Sequence, residues 1–331
     1  MAEGLGVQLR AVDWGVLSSY GGLLGMATVS IYAGAFGSLP RKRESKGEKK
    51  EEEVLDQLSA GDAWLFPIIG SAALLVLYGT VKYLGEVWIN WVLGWYFAVA
   101  GVGSVWSSSE ALARYLVGET QWKKFDECKV SVRKGSRELV SLSVRTPSVV
   151  LMPLALVPSG VYVCGMKQSA VVTDVLALSF AHNALSLLRL DSFRTGAILL
   201  SGLFVYDVWW VFGTEVMVKV ATTVDGPMKL LWAKSGGGYT MLGLGDVVIP
   251  GTFVARGLRY DAEKGLGGRP YFRGCLIGYV IGLGVTMGVT SVSGRAQPAL
   301  LYLSPACMLG FLVVATLRGE VAEAWSSYGR D

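Results

Sequence analysis

The 331-residue chain has a single histidine, His182, and only two asparagines, Asn90 and Asn183. The first scarcity excludes an HExxH zinc motif, which needs two histidines on one helix face. The second leaves no N-x-S/T sequon, so no N-linked glycan is expected. Four cysteines, Cys128, Cys164, Cys275 and Cys307, are scattered without a CxxC pair. They read as small core hydrophobes, so neither a zinc site nor a disulfide frame is expected. Charge is sparse as well: 17% of residues are charged and 52% hydrophobic, where a soluble domain carries about a quarter charged. With a mean hydropathy of +0.46, this composition overrules the two soluble domains that length alone suggests. A polytopic membrane protein is expected, with the lipid bilayer as its surroundings and no metal, cofactor or nucleic acid as partner.

Nine apolar runs of membrane-spanning length can be read, at 16–39, 63–81, 88–113, 147–166, 170–188, 196–217, 238–256, 273–293 and 297–317. The first lacks a basic leader and a cleavage site, so it reads as an uncleaved span. An odd count puts the termini on opposite faces. Of 30 Lys and Arg, 22 fall in 40–62, 118–146, 189–195, 256–273 and the tail, and positive charge stays cytosolic. The N-terminus is therefore expected in the lumen and the C-terminus in the cytosol. The fold expected is all-α: five helices in 1–193 with cytosolic loops at 40–62 and 118–146, then four helices and a cytosolic tail in 194–331.

Three connections stand out. "RKRESKGEKKEEE" at 41–53 reads as a solvated juxtamembrane linker. "CKVSVRKGSRELVSLSV" at 128–144 alternates apolar and polar residues about a Lys134-Gly135-Ser136 turn signal, the pattern of a small cytosolic β-hairpin or of a partly ordered loop. Residues 222–239, with Pro227 and Gly236 to Gly238, read as a flexible join between the sixth and seventh spans. That glycine run is followed by no GK[ST] and preceded by no strand, so it is not a phosphate loop.

Two aspartates lie inside apolar runs, where a charge costs several kcal/mol. Asp207 sits in "LFVYDVWWVFG" and Asp246 in "GLGDVVIPG". Counted at helical rise from Arg194 to Glu215 and from Thr240 to Arg256, both lie in the bilayer interior, nearer the lumen. On successive antiparallel spans their side chains can face each other. Two close carboxylates share one proton, so one can act as base on water while the other protonates a carbonyl oxygen and then a leaving nitrogen. Gly243 and Gly245 let another backbone approach, and Pro250 removes the N–H that would bond the Asp246 carbonyl. Asp174 and Glu110, nearer span ends, read as interfacial or packing groups. From the pair alone, a catalytic dyad and a proton- or ion-coupled transport relay stand level, with a helix-binding scaffold as a third class.

Pro298, just inside the last span and on the same side as both aspartates, forces irregular backbone that survives at depth only where it lines a cavity or is packed by protein. No internal repeat supports the transporter. A serine protease would have to pair Ser159 of "VPSG" with His182, which reads instead as a packed residue.

Tyr206-Asp207, Gly243 to Asp246 and Gln297 to Leu300, in that order on spans six, seven and nine, resemble the GxGD intramembrane aspartyl proteases. "GLFVYDVWWVFGTEVMVKVA", "MLGLGDVVIPG" and "QPALLYLSPAC" are more similar to the signal peptide peptidase branch than to presenilin. The resemblance implies a presenilin-like bundle with Asp207 and Asp246 as catalytic pair. It also implies a substrate surface of Tyr206, Gly243, Leu244, Gly245, Gln297, Pro298, Ala299 and Leu300. The partners implied are type II oriented transmembrane helices, including signal peptides left after cleavage, and the implied location is the endoplasmic reticulum. Self-association stays open. The tail "EAWSSYGRD" carries no dilysine retrieval signal.

Overall fold

The computed structural model describes residues 14–39, 57–122, 124–125, 127–134, 137–164, 169–224, 226–234, 237–294 and 297–327. The charged linker at 41–53, the Gly135-Ser136 turn and the tail beyond 327 lie outside the described residues.

In chain order the elements are α1 (Trp14–Gly37), β1 (Gln57–Leu58), α2 (Ala60–Leu84), α3 (Glu86–Val117), α4 (Glu119–Trp122), β2 (Glu127–Lys134), β3 (Arg137–Arg145), α5 (Thr146–Val163) and α6 (Ala170–Leu187). There follow β4 (Arg189–Leu190), α7 (Phe193–Phe212), α8 (Val216–Thr223), β5 (Lys229–Ala233), β6 (Tyr239–Gly243), α9 (Gly245–Glu263), α10 (Pro270–Ser293), α11 (Leu300–Arg318) and α12 (Val321–Ser326). Among the described residues seven helices, α2, α3, α5, α6, α7, α10 and α11, are long and apolar enough to cross a membrane. The protein is thus a mostly helical, polytopic membrane protein. Helix α9 carries Arg256, Arg259, Asp261 and Glu263 in its second half.

Sequence periodicity proposes one continuous span at 238–256, and the structure corrects this. Residues 239–243 form a strand paired antiparallel with β5, and the helix starts only at Gly245. The join expected to be flexible at 222–239 likewise holds all of β5, itself packed against α6 and α1. Strands β2 and β3 pair antiparallel from Glu127↔Arg145 to Lys134↔Arg137, with an irregularity at Val132/Arg133. A short parallel pair, β1 with β4, ties the start of α2 to the start of α7.

The core joins α1, α2, α6, α7, α9, α10 and α11. Its closest helix pair is α10 with α11, and the reason is a stripe of glycines. A Cβ on Gly278 would come 2.4 Å from the Ala306 carbonyl oxygen, and one on Gly274 2.8 Å from that of Gly310. Bare backbone at every fourth position lets helices close where burial in lipid offers no hydrophobic drive. Cys275 and Cys307 are buried on this same pair. Helix α10 starts where Asp261 of α9 accepts the backbone N–H groups of Tyr271 (3.2 Å) and Phe272 (2.8 Å), a side-chain cap on donors the helix cannot satisfy itself. At the same end, Phe193, Phe253, Tyr260, Tyr271 and Phe311 stack with ring centroids 4.2–6.2 Å apart. Buried Arg256 bonds Glu263 (2.6 Å) and the Ser327 carbonyl (3.0 Å), which docks α12. Glu110 pairs with Arg114 one turn on, and His182 packs beside Gly37.

Candidate active site

Asp207 lies about four turns into apolar α7 and is 5% exposed. A buried carboxylate needs donors, and α7 itself has none free at that depth. The donor comes from the other end of the sequence: the Leu300 N–H bonds Asp207 Oδ2 at 3.0 Å. Leu300 opens α11, so its N–H is one of the unpaired donors of a helix start, and the carboxylate caps it. Pro298 makes this possible. It sits before the helix, buried, and its carbonyl accepts from Leu301 (3.2 Å) while that of Ala299 accepts from Tyr302 and Leu303 (3.1 Å each). Ser304 then ties α11 to α7 by bonding the Leu200 carbonyl (3.1 Å).

Asp246 reaches the site by a different device. The Leu244 N–H is the last rung of the β5–β6 hairpin, bonding the Met228 carbonyl at 2.8 Å, while the Leu244 carbonyl accepts from Val247 and Val248 and so begins α9. One residue converts strand to helix, which sets Asp246 in the first turn of α9. Pro250 sits one turn on, where it leaves the Asp246 carbonyl without a helical donor. Gly243 must be small: a Cβ there would lie 3.1 Å from Asp246 Oδ2. A Cβ on Gly245 would meet Ile249 Cδ1 at an ordinary 3.9 Å, so no clash requires glycine there.

Asp246 lies within electrostatic reach of Asp207 and of the buried Tyr279 on α10. The two carboxylates thus stand at helix N-termini, Asp246 at that of its own helix and Asp207 at that of α11. The positive end of a helix dipole favours negative charge there. The two carboxylates and the Leu300 donor are thereby brought together from three helices.

The remaining predicted residues divide. Ala299 and Leu300 are buried at the head of α11, but Leu300 contributes its backbone N–H while its side chain joins the core. Gln297 turns away, its amide bonding the Ser293 hydroxyl at 3.2 Å. Tyr206 sits beside Asp207 but packs toward α2, 3.5 Å from where a Cβ on Gly70 would be, and near Trp210. Sequence reading missed what supports this side. Pro67 of α2 packs against Gly202, and Ser71, whose hydroxyl donates to the Pro67 carbonyl (2.7 Å), accepts from Trp210 Nε1 at 3.2 Å. Ser159 packs on Gly101 of α3 and His182 beside Gly37 of α1, so the rival serine and histidine face different helices.

Known proteins name the class. Over 325 residues the chain is 35% identical to the mouse signal peptide peptidase, covering 94% of this chain and 83% of that one. The human signal peptide peptidase is likewise 35% identical, with 94% and 84% covered. A Schizosaccharomyces pombe protein named a "probable intramembrane protease" is 32% identical over 313 residues, 92% of each chain. Fold and relatives together define an intramembrane protease. The profile described as signal peptide peptidase matches residues 49–330. The chain belongs to the signal peptide peptidase family.

Proposed function

We propose that the chain is an aspartic endopeptidase that cuts type II oriented transmembrane helices, remnant signal peptides among them, with Asp207 and Asp246 as its catalytic pair. The observation that carries this is the Leu300 N–H to Asp207 bond, because it holds one carboxylate at the head of α11 within electrostatic reach of the other, Asp246.

The chemistry follows from one shared proton. The ionised carboxylate takes a proton from water as the water oxygen bonds to the scissile carbonyl carbon, and the protonated one gives its proton to the carbonyl oxygen. Collapse of the tetrahedral intermediate breaks the C–N bond. The nitrogen leaves with the proton taken from water, one hydroxyl returns its proton to the carboxylate that had protonated the carbonyl, and the other stays in the new carboxyl group. A helical peptide bond is screened by its own turns, so the substrate unwinds first. Its extended backbone pairs along β6, near residues 238–245, and against Pro298, Ala299 and Leu300, as an added strand. Tyr206 and Gln297 border this path without touching the scissile bond.

In this reading all nine long helices span the membrane of the endoplasmic reticulum, with the N-terminus lumenal and the C-terminus cytosolic. The β2–β3 pair then lies in the cytosol. Residues 194–331 carry the chemistry, and 1–193 support it from the first five helices. The purified protein is mixed in detergent with a short type II signal-peptide helix and the products are weighed. Cleavage inside the apolar segment by wild type, absent with Asp207→Ala, is expected; equal cleavage by both excludes the assignment.

A further inference from the structure

The β5–β6 hairpin has two edges, and its hydrogen bonds say which residues face each. Lys234 N bonds the Gly238 carbonyl and Leu244 N the Met228 carbonyl. With the register Leu231↔Met241, antiparallel alternation makes 230/242 and 232/240 the bonded pairs. The main-chain groups of 229, 231 and 233 on β5 then point away from β6, and those of 239, 241 and 243 point away from β5.

The outer edge of β5 is closed by side chains. Asp174 of α6 accepts the Leu231 N–H at 2.7 Å. Ser19 of α1, fully buried, places its hydroxyl 3.2 Å from the Ala233 carbonyl, sharing its hydrogen with Gly15. Trp232 between them lies against Gly22, where a Cβ would come within 2.3 Å of the indole. No strand covers the outer edge of β6 among the described residues, and its Tyr239 and Met241 are 51% and 60% exposed. That edge ends at Gly243, against Asp246.

From this geometry we infer that Asp174, seconded by Ser19, is a positioning residue for cleavage: it blocks the wrong edge of the hairpin and steadies β6 as the edge on which a substrate strand registers, hence which peptide bond reaches the dyad. The inference rests on the protease reading above. Among the described residues, Asp174 takes the place of the missing strand at a β5 N–H, and an unpaired buried N–H is costly. Without it β5 loses its tie to α6 and β6 offers a less steady edge, so a substrate strand paired on that edge can slip. A strand slips in steps of two residues to keep its faces, about 6.8 Å, so the cut moves by up to two bonds.

The test compares wild type, Asp174→Ala, Asp174→Asn and Ser19→Ala on one type II signal-peptide helix, with product masses, KM, kcat and thermal midpoint recorded. Asp174→Ala is expected to spread or shift the cut by one or two bonds and to raise KM about tenfold, the size of one lost charged hydrogen bond. Asp174→Asn keeps an acceptor oxygen and is expected to restore the wild-type bond, with KM within about threefold. Ser19→Ala is expected to give a smaller spread. Should Asp174→Ala fail to fold, Asp174→Gln, whose acceptor sits one methylene further out, takes its place with the same outcomes. A folded variant that cuts the wild-type bond with wild-type KM overturns the inference and leaves the protease reading intact. Loss of cleavage in wild type, or cleavage by Asp207→Ala, overturns both.

Discussion

Gly243→Ala offers a measured push on one catalytic oxygen. The added Cβ would stand 3.1 Å from Asp246 Oδ2 and 3.8 Å from its Cγ, with no other heavy atom within 4 Å. Gly243 is not among the positive-φ glycines, so alanine fits its strand backbone. The carboxylate must retreat by a few tenths of an ångström to reach ordinary contact. Misplacement by about 1 Å costs on the order of a hundredfold in rate, so a third of that shift predicts a fall of about three- to tenfold in kcat. Gly243→Val, with two further methyl groups on the same side, is expected to lose about a hundredfold or more. Stability moves little, because glycine in a strand is itself unfavourable by roughly 0.5–1 kcal/mol against alanine. The assay is steady-state cleavage of a labelled type II helix in detergent, beside thermal midpoints. A folded Gly243→Val with kcat within twofold of wild type would refute the placement of Asp246 against β6.

Other expected outcomes follow from contacts away from the dyad. Asp261→Ala leaves two buried N–H groups at the start of α10 unpaired and should lower stability by about 2–4 kcal/mol, read as a drop in thermal midpoint, with Asp261→Asn between it and wild type. Gly278→Leu drives a side chain into the Ala306 carbonyl, and should part α10 from α11 and abolish folded protein in size-exclusion profiles. The Arg318 guanidinium holds the Glu320 carboxyl below its ordinary value of 4.5. A depressed folded value stabilises docking of α12 above pH 4.5 and loses that contribution as pH falls through the lowered value. Hydrogen exchange of residues 321–326 should therefore stay constant from neutral pH down to about 4.5, after correction for intrinsic rates, and rise below.

How much of this was legible in the sequence differs residue by residue. Asp207 and Asp246 announce themselves, because a carboxylate in an apolar run is costly and its neighbours are specific. The helix at 170–188 is plain from hydropathy. The strand at Tyr239–Gly243 is not, since inside lipid an apolar run carries no period that separates strand from helix over five residues. Its partner, "KLLWA", reads as loop for the same reason. Leu300 was legible as part of the site but not in kind: the expected side-chain contact is a backbone donor, created by Pro298 and a helix start. Because the Leu300 side chain is 5% exposed within the core, Leu300→Asp would harm folding as well as cleavage. Asp174 looked like a packing group because its partner is a backbone N–H 57 residues away, which no local pattern encodes.

The central claim is that Asp207 and Asp246 act as one unit. The direct measurement is cleavage of a type II signal-peptide helix by Asp207→Asn, Asp246→Asn and the double variant, each checked for wild-type thermal midpoint. A shared-proton dyad predicts that each single variant falls to the same floor as the double, because removal of either carboxylate ends the chemistry. A folded single variant that keeps a substantial part of wild-type kcat, with the double variant lower by the product of the two losses, would contradict it.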